Sequence, residues 1–186
     1  MAGNSNPRRE PAGDRETVVG NPNGAAGRIA VTGSTGAVGG RVARLLAAAG
    51  VPHRLVVRDP SRAPQLPDTE VVQAGYPDRP AMEAALSGID TVFLVSATET
   101  EDRLAQHLNA VDSAVAAGVS RIVYLSFLNA APDATFTLAR QHWATEQHIR
   151  GHGVAFTFLR DSLSTDYLPV FAGRDRTIRG PAGDGM

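Results

Sequence analysis

The stretch from Arg28 to Gly50, RIAVTGSTGAVGGRVARLLAAAG, constrains the fold more than any other part of the chain. A short apolar run, Ile29 to Thr32, leads into Gly33, Gly36 and Gly39 and then into a segment rich in Ala, Leu, Val and Arg. The pattern predicts a strand, a tight turn and a helix. Gly33 permits a sharp exit from the strand, Gly36 lets backbone approach a pyrophosphate closely, and Gly39 lets the helix pack tightly on the sheet. The first N–H groups of the helix, at Ala37 and Val38, together with its positive dipole end, suit a phosphate. Ser34 and Thr35 add hydroxyl donors to the same loop. A strand before the glycines and a second strand after the helix separate this arrangement from a bare glycine triplet. Nucleotide binding is the expected role of the loop.

The second strand, HRLVV at residues 53–57, refines the cofactor. An NAD site carries Asp or Glu near that strand's end, where it holds the ribose 2′-hydroxyl. This chain has Arg58 there, with Arg62 one turn on. A planar guanidinium matches the oxygens of a 2′-phosphate, so NADP(H) is the preferred cofactor. Asp59 follows immediately, which keeps NAD(H) open as the alternative.

Composition narrows the remaining classes. At 186 residues the chain is long enough for one domain with a sizeable core. A net charge of −1 provides no basic field for nucleic acid or a membrane surface, so neither partner is expected. No apolar run is long enough to span a bilayer, and no signal-peptide pattern is present. Cysteine is absent, which removes disulfides and thiolate chemistry. All 18 basic residues are arginine, so there is neither a Schiff-base lysine nor a Tyr-Lys catalytic pair. A cytoplasmic enzyme or binding protein fits these bounds, with homo-oligomerisation left open.

Residues 1–27 carry Pro7, Pro11 and Pro22 with little apolar content and are expected to form a disordered tail. From Arg28 onward, strands and helices alternate. Strands are predicted near 28–33, 53–57, 69–73, 90–95, 120–125 and 153–159, and helices near 37–49, 79–87, 100–117 and 135–151. The runs RIAVT, TVFLV and RIVYL are near-continuously apolar, as strands buried on both faces require. Helix 100–117 places Leu104, Leu108, Val111 and Val115 on one stripe, and Gly118 closes it. The alternation predicts an α/β fold with a doubly wound parallel sheet and right-handed crossovers.

Ligands of such sheets bind outside the carboxyl ends of the strands. Those ends carry Gly33, Arg58, Gly75, Tyr76, Ser96, Ala97, Ser126, Phe127 and Arg160. Tyr76 is placed on the adenine side, and Ser96 and Ala97 near the ribose and nicotinamide. Helix 135–151 contains His142, Glu146 and His148, with His152 just beyond. His148 and His152 flank the glycines of a helix end and read as solvated capping residues, so no metal site is expected. His142 reads either as a surface residue or as a hydrogen-bond or proton donor to the cofactor region.

Several stretches taken together resemble a known family: VTGSTGAVGG, VVRDP, the run from Thr91 to Phe127, and FTLARQHWATEQHIRGHGVAFTFLRDSL. They are similar to the NmrA-like atypical short-chain dehydrogenase/reductases, and within them to the NAD(P)H-dependent quinone oxidoreductase branch. The resemblance covers residues 28–186. It implies an NAD(P)-binding Rossmann domain, with NADP(H) held along Gly33 to Gly39 and at Arg58. It also implies a smaller C-terminal substrate lobe, which here is expected to be largely missing. The broader superfamily's YxxxK would fall in helix 135–151. Counting back from Glu146, Leu138 takes the Tyr slot and His142 the Lys slot, so the dyad is absent and His142 becomes the catalytic candidate.

The expected activity is NADPH-dependent reduction of quinones or similar conjugated carbonyls, small molecules that accept a hydride without a Tyr-Lys pair. Two alternatives stand beside it. One is a non-catalytic NAD(P)-sensing regulatory protein, and the other is an inactive truncated fragment.

Overall fold

The computed structural model describes residues 27–162 together with Pro169, Ala172 and Thr177. The expected tail, but for its last residue, and the segment after Ser162, apart from those three positions, lie outside the described residues. Strand and helix alternate as the sequence predicts: β1 (Ile29–Thr32), α1 (Ala37–Ala48), β2 (His53–Val57), a 3-10 turn (Pro60–Arg62), β3 (Thr69–Gln73), α2 (Arg79–Leu86), β4 (Thr91–Leu94), α3 (Arg103–Ala116), β5 (Arg121–Phe127), α4 (Thr137–Gly151) and β6 (Ala155–Asp161). The six strands are parallel, in the order β3-β2-β1-β4-β5-β6. Ile29 of β1 is in register with His53 on one side and Thr91 on the other. The chain reverses its direction of travel across the sheet between β1 and β4, which opens a crevice above their carboxyl ends.

Local chemistry explains the element ends. Asp78 caps α2 by accepting a hydrogen bond from the Ala81 N–H at 3.1 Å, and Pro80 occupies an early position where its missing donor costs nothing. Gly118 follows α3 with φ of +82°, the left-handed backbone that lets Val119 N–H bond back to the Ala114 carbonyl.

One face of the sheet is covered by α2, α3 and α4. Ala30, Val92, Leu94, Ile122 and Tyr124 pack there against Met82, Leu86, Ala110, Val111, Ala114 and Ile149. On the other face Val31, Leu55, Val57 and Phe93 pack against Ala43 of α1. α1 sits over β1 and β2. As a result β5 departs from the expected continuous burial. Its residues alternate, with Ile122, Tyr124 and Ser126 buried and Val123, Leu125 and Phe127 half-buried.

The apolar stripe expected on α3 also shifts. The buried residues are Arg103, His107, Ala110, Val111, Ser113 and Ala114, while Leu104, Leu108 and Val115 are half-buried. α3 packs between α2 and α4, and its innermost line carries polar groups that the site below uses. Among the described residues no helix is long and apolar enough to cross a membrane.

Candidate functional site

The crevice is a cleft of about 260 Å³ lined by Gly33, Thr35 and Gly36 from the glycine loop, Arg58 after β2, Gly75 and Tyr76 after β3, and Ser96 and Ala97 after β4. These were named from sequence. Thr32, Thr98, Thr100 and Gln106 also line it and were not. Arg58 is the one charged residue among the described lining.

Each glycine has a distinct reason. Gly33 has φ of +62°, and a Cβ there would stand 2.9 Å from the Val95 side chain. At Gly39 a Cβ would stand 2.4 Å from the Gly33 carbonyl oxygen, and at Gly40 2.8 Å from that of Ser34. Those two let α1 sit directly on the loop. Gly36 is different: its φ of −97° suits any residue, and a Cβ would meet only the Gly33 oxygen at 3.4 Å. The fold does not need glycine at position 36, whereas a ligand passing over the loop does.

Gly36 is also the N-cap of α1, with no side-chain cap and no acidic residue in the first turn. Ala37 and Val38, the first two residues of the helix, are exposed, so their amides stand open to an anion. Thr35 presents its side chain to this place. Ser34 does not: it is 2% exposed, and its hydroxyl is buried without a hydrogen-bonding partner. The hydroxyl expected to donate from Ser34 is thus a buried one outside the cleft lining.

At the end of β2 the two candidate ribose residues diverge. Asp59 caps the 3-10 turn, accepting from the Ser61 N–H at 3.0 Å and the Ser61 hydroxyl at 2.7 Å. Those bonds hold its carboxyl below the usual carboxylate range. The Arg58 guanidinium is exposed, and among the described residues it makes no hydrogen bond. Tyr76 is anchored at the cleft floor, its hydroxyl donating to the Val95 carbonyl at 2.5 Å and lying 2.6 Å from Thr32 Oγ1. Burial pushes its phenol far above the ordinary range. Asn109 donates to the Tyr76 carbonyl and fixes the segment from the other side.

Behind Ser96 and Ala97 lies a buried polar network that sequence reasoning missed. The Arg103 guanidinium is 2% exposed and donates to the Ala97 carbonyl (2.9 Å), to Gln141 Oε1 (2.9 Å) and to His142 Nε2 (2.9 Å). Arginine only donates, so His142 Nε2 accepts and the ring proton sits on Nδ1, 2.9 Å from the Tyr124 hydroxyl. The Ala97 N–H donates to His107 Nε2 at 2.8 Å, so the second ring carries its proton on Nδ1, 3.1 Å from Thr145 Oγ1. Burial first, and then the Arg103 charge, depress both imidazoles to a pKa of about 3. Both rings are neutral, and each ring nitrogen has a partner.

His142 is thus 4% exposed and does not line the cleft. It steadies Arg103, which in turn holds the 97 carbonyl. Periodicity alone could not reveal the network. Positions 103, 107, 110, 111 and 114 follow the same helical spacing as the leucine stripe, one residue over. The signal that could have found it is an Arg and a His four apart, directly after a strand-end loop. Replacing Arg103 with Met leaves three acceptors unpaired. Urea denaturation is expected to show a loss of about 3 kcal/mol or more, together with weaker cofactor binding as the 96–97 segment loosens. Unchanged stability would show that the network does not hold the loop.

The other strand ends meet on α4. Glu146, fully buried, accepts from the Ser126 hydroxyl at 2.6 Å and from Arg160 at 2.9 and 2.6 Å. His148 and His152 do not belong to that group. His152 is the exposed C-cap of α4, as expected, and His148 is half-buried in the last turn; both converge on Asp112 of α3.

The comparisons agree with this geometry. Residues 33–176 match the family model described as NAD(P)H-binding. A reductase of (4-alkanoyl-5-oxo-2,5-dihydrofuran-3-yl)methyl phosphate from Streptomyces griseus is 44% identical over 71% of this chain and 46% of its own length. Quinone oxidoreductase 2 of Escherichia coli is 35% identical over 84% of this chain and 57% of its own. The crystal structure of that quinone oxidoreductase with NADPH superposes with a TM-score of 0.70 at 34% identity, covering 77% of this chain and 52% of the other. The transcriptional regulator NmrA, at 22% identity and a TM-score of 0.63, shares the fold, with 72% of this chain and 45% of that one covered. The chain spans about half the length of the curated relatives it matches. It belongs to the NAD(P)H-binding family, with quinone oxidoreductase 2 among its homologues.

Proposed function

We propose that this chain is the cofactor-binding part of an NADPH-dependent reductase acting on quinones or similar conjugated acceptors. Arg58 carries the reading: it brings a hydrogen-bond-free guanidinium to a cleft with no acidic side chain among its described lining, while Asp59 is spent on a cap. That combination suits a 2′-phosphate and gives a bare 2′-hydroxyl no carboxylate to bind. The two relatives named above, a quinone oxidoreductase and a furanone-phosphate reductase, both reduce a conjugated acceptor by name, which supports the reaction class.

The dinucleotide, when bound, supplies the hydride. The amides at the start of α1 and the Thr35 hydroxyl would hold its pyrophosphate, Arg58 its 2′-phosphate, Gly75 and Tyr76 the adenosine side, and Ser96 and Ala97 the ribose and nicotinamide side. Arg103 and His107 hold the 96–97 backbone in place, and His142 acts through Arg103 rather than as the proton donor. A quinone's developing phenolate takes its proton from solvent, so the missing Tyr-Lys pair does not stop the reaction.

Arg58→Ala is expected to weaken NADPH by about 1.5–3 kcal/mol, the worth of a charge-assisted hydrogen bond, and to leave NADH nearly unchanged. Isothermal calorimetry with both cofactors checks this, and equal losses would sink the assignment. Oxidation of NADPH with a panel of quinones tests the reaction. Tight cofactor binding with no acceptor turned over would move the chain to the sensing alternative.

A further inference from the structure

We propose that Asp112, His148 and His152 form a divalent-metal site of the zinc class that ties α3 to α4, away from the cofactor cleft.

His148 and His152 stand one turn apart at the end of α4, and Asp112 faces them from α3. Asp112 Oδ1 lies 2.6 Å from His148 Nε2 and 2.9 Å from His152 Nε2, and the two Nε2 atoms are 3.3 Å apart. Three potential ligand atoms, one carboxylate oxygen and two imidazole nitrogens, converge on one point. Without an ion, an Nε2–H of either ring donates to the carboxylate; with both rings in the Nδ1–H tautomer, the same three atoms offer their lone pairs to one metal ion.

The spacing suits the ion. Ligands about 2.0–2.2 Å from a tetrahedral Zn²⁺ stand about 3.3–3.5 Å from one another. The two nitrogens are already at that separation, 3.3 Å, and the carboxylate oxygen, at 2.6 and 2.9 Å from them, has to withdraw by roughly 0.4–0.9 Å. Two histidines at i and i+4 on one helix face, completed by a carboxylate, are a zinc-type donor set.

Each of the three side chains is about 30% exposed, so an ion can enter and water can fill the fourth position. Arg79, the cation whose field reaches Asp112, is itself paired with Glu83 at 2.7 Å. The chain has five histidines and no cysteine. His107 and His142 are locked in the buried network, and His53 is 5% exposed with Nδ1 bound at the Val51 carbonyl. The His53 Nε2 has no partner but is buried, and among the described residues no other group of three His, Asp or Glu side chains converges.

The test is calorimetric titration of the full, tag-free chain with ZnCl₂ near neutral pH, in parallel with Asp112→Asn, His152→Gln and the double variant His148→Gln/His152→Gln. One equivalent of Zn²⁺ is expected to bind the parent chain. The single variants should bind at least about tenfold more weakly, since each removes one of three ligands, and the double variant should not bind. At 100-fold excess over the dissociation constant, the parent melting temperature should rise by roughly 5–10 °C. Circular dichroism confirms folding of each variant, and if the double variant fails to fold the two single variants decide. No Zn²⁺ binding by the parent would overturn the site and leave a clasp held by protons. Equal binding by parent and variants would overturn it by placing the ion elsewhere.

Discussion

Replacing Gly36 with valine is expected to abolish NADPH binding and leave the fold intact. The two outcomes separate because the protein leaves room for the side chain and a bound pyrophosphate does not. The backbone at Gly36 is extended, and a Cβ there meets nothing of the protein nearer than the Gly33 oxygen at 3.4 Å. The valine methyls would project over the loop and the open amides at the start of α1, where a phosphate must approach. Loss of those contacts should weaken binding by more than about 100-fold, as several charge-assisted hydrogen bonds are lost together. Gly39→Ala is the matched control. Its Cβ would lie 2.4 Å from the Gly33 oxygen, so α1 would have to lift off the loop and the melting temperature should fall. Calorimetry with NADPH and thermal denaturation of both variants distinguish the two effects. NADPH binding undiminished in Gly36→Val would show that the loop does not hold phosphate.

Acid should destabilise this chain at a mild pH. His107 and His142 are neutral in the fold, with pKa lowered to about 3 from a starting value of 6.5. The unfolded chain therefore binds more protons than the folded one below 6.5, and stability falls as pH falls. The contribution is complete above 6.5 and is lost progressively between there and about 3. At pH 5 each histidine should cost about 2 kcal/mol, or about 4 kcal/mol together. Such a loss is a large part of a domain's usual margin. Urea denaturation at neutral pH and at about pH 5 measures it. A double variant, His107→Gln/His142→Gln, should start less stable and show a much shallower pH dependence. A wild-type profile flat down to pH 5 would contradict the neutral, buried assignment.

Much of the lining of the cleft was readable because it depends on local sequence. The turn at Gly33, the open helix start at Gly36 and the guanidinium after β2 follow from residues a few positions apart, and the alternation of apolar strands with helices orders the sheet. What was missed depends on contacts between distant segments. Arg103 belongs to no motif along the chain, yet it reaches Gln141 and His142 on α4. Asp112 and His152 are 40 positions apart and meet only because α3 packs on α4. Ser34 carries a phosphate-binding hydroxyl by type, but in the fold that hydroxyl is buried without a partner. In each case packing direction decides the role, and residue spacing along the chain does not encode it.

The central claim is that this cleft is an NADP(H) site with Arg58 as its discriminator. The most direct test is titration of the purified chain with NADPH and with NADH under identical conditions. The account predicts a 1:1 complex with NADPH and binding of NADH at least about tenfold weaker. Equal affinity for the two cofactors, or no binding of either, would contradict it.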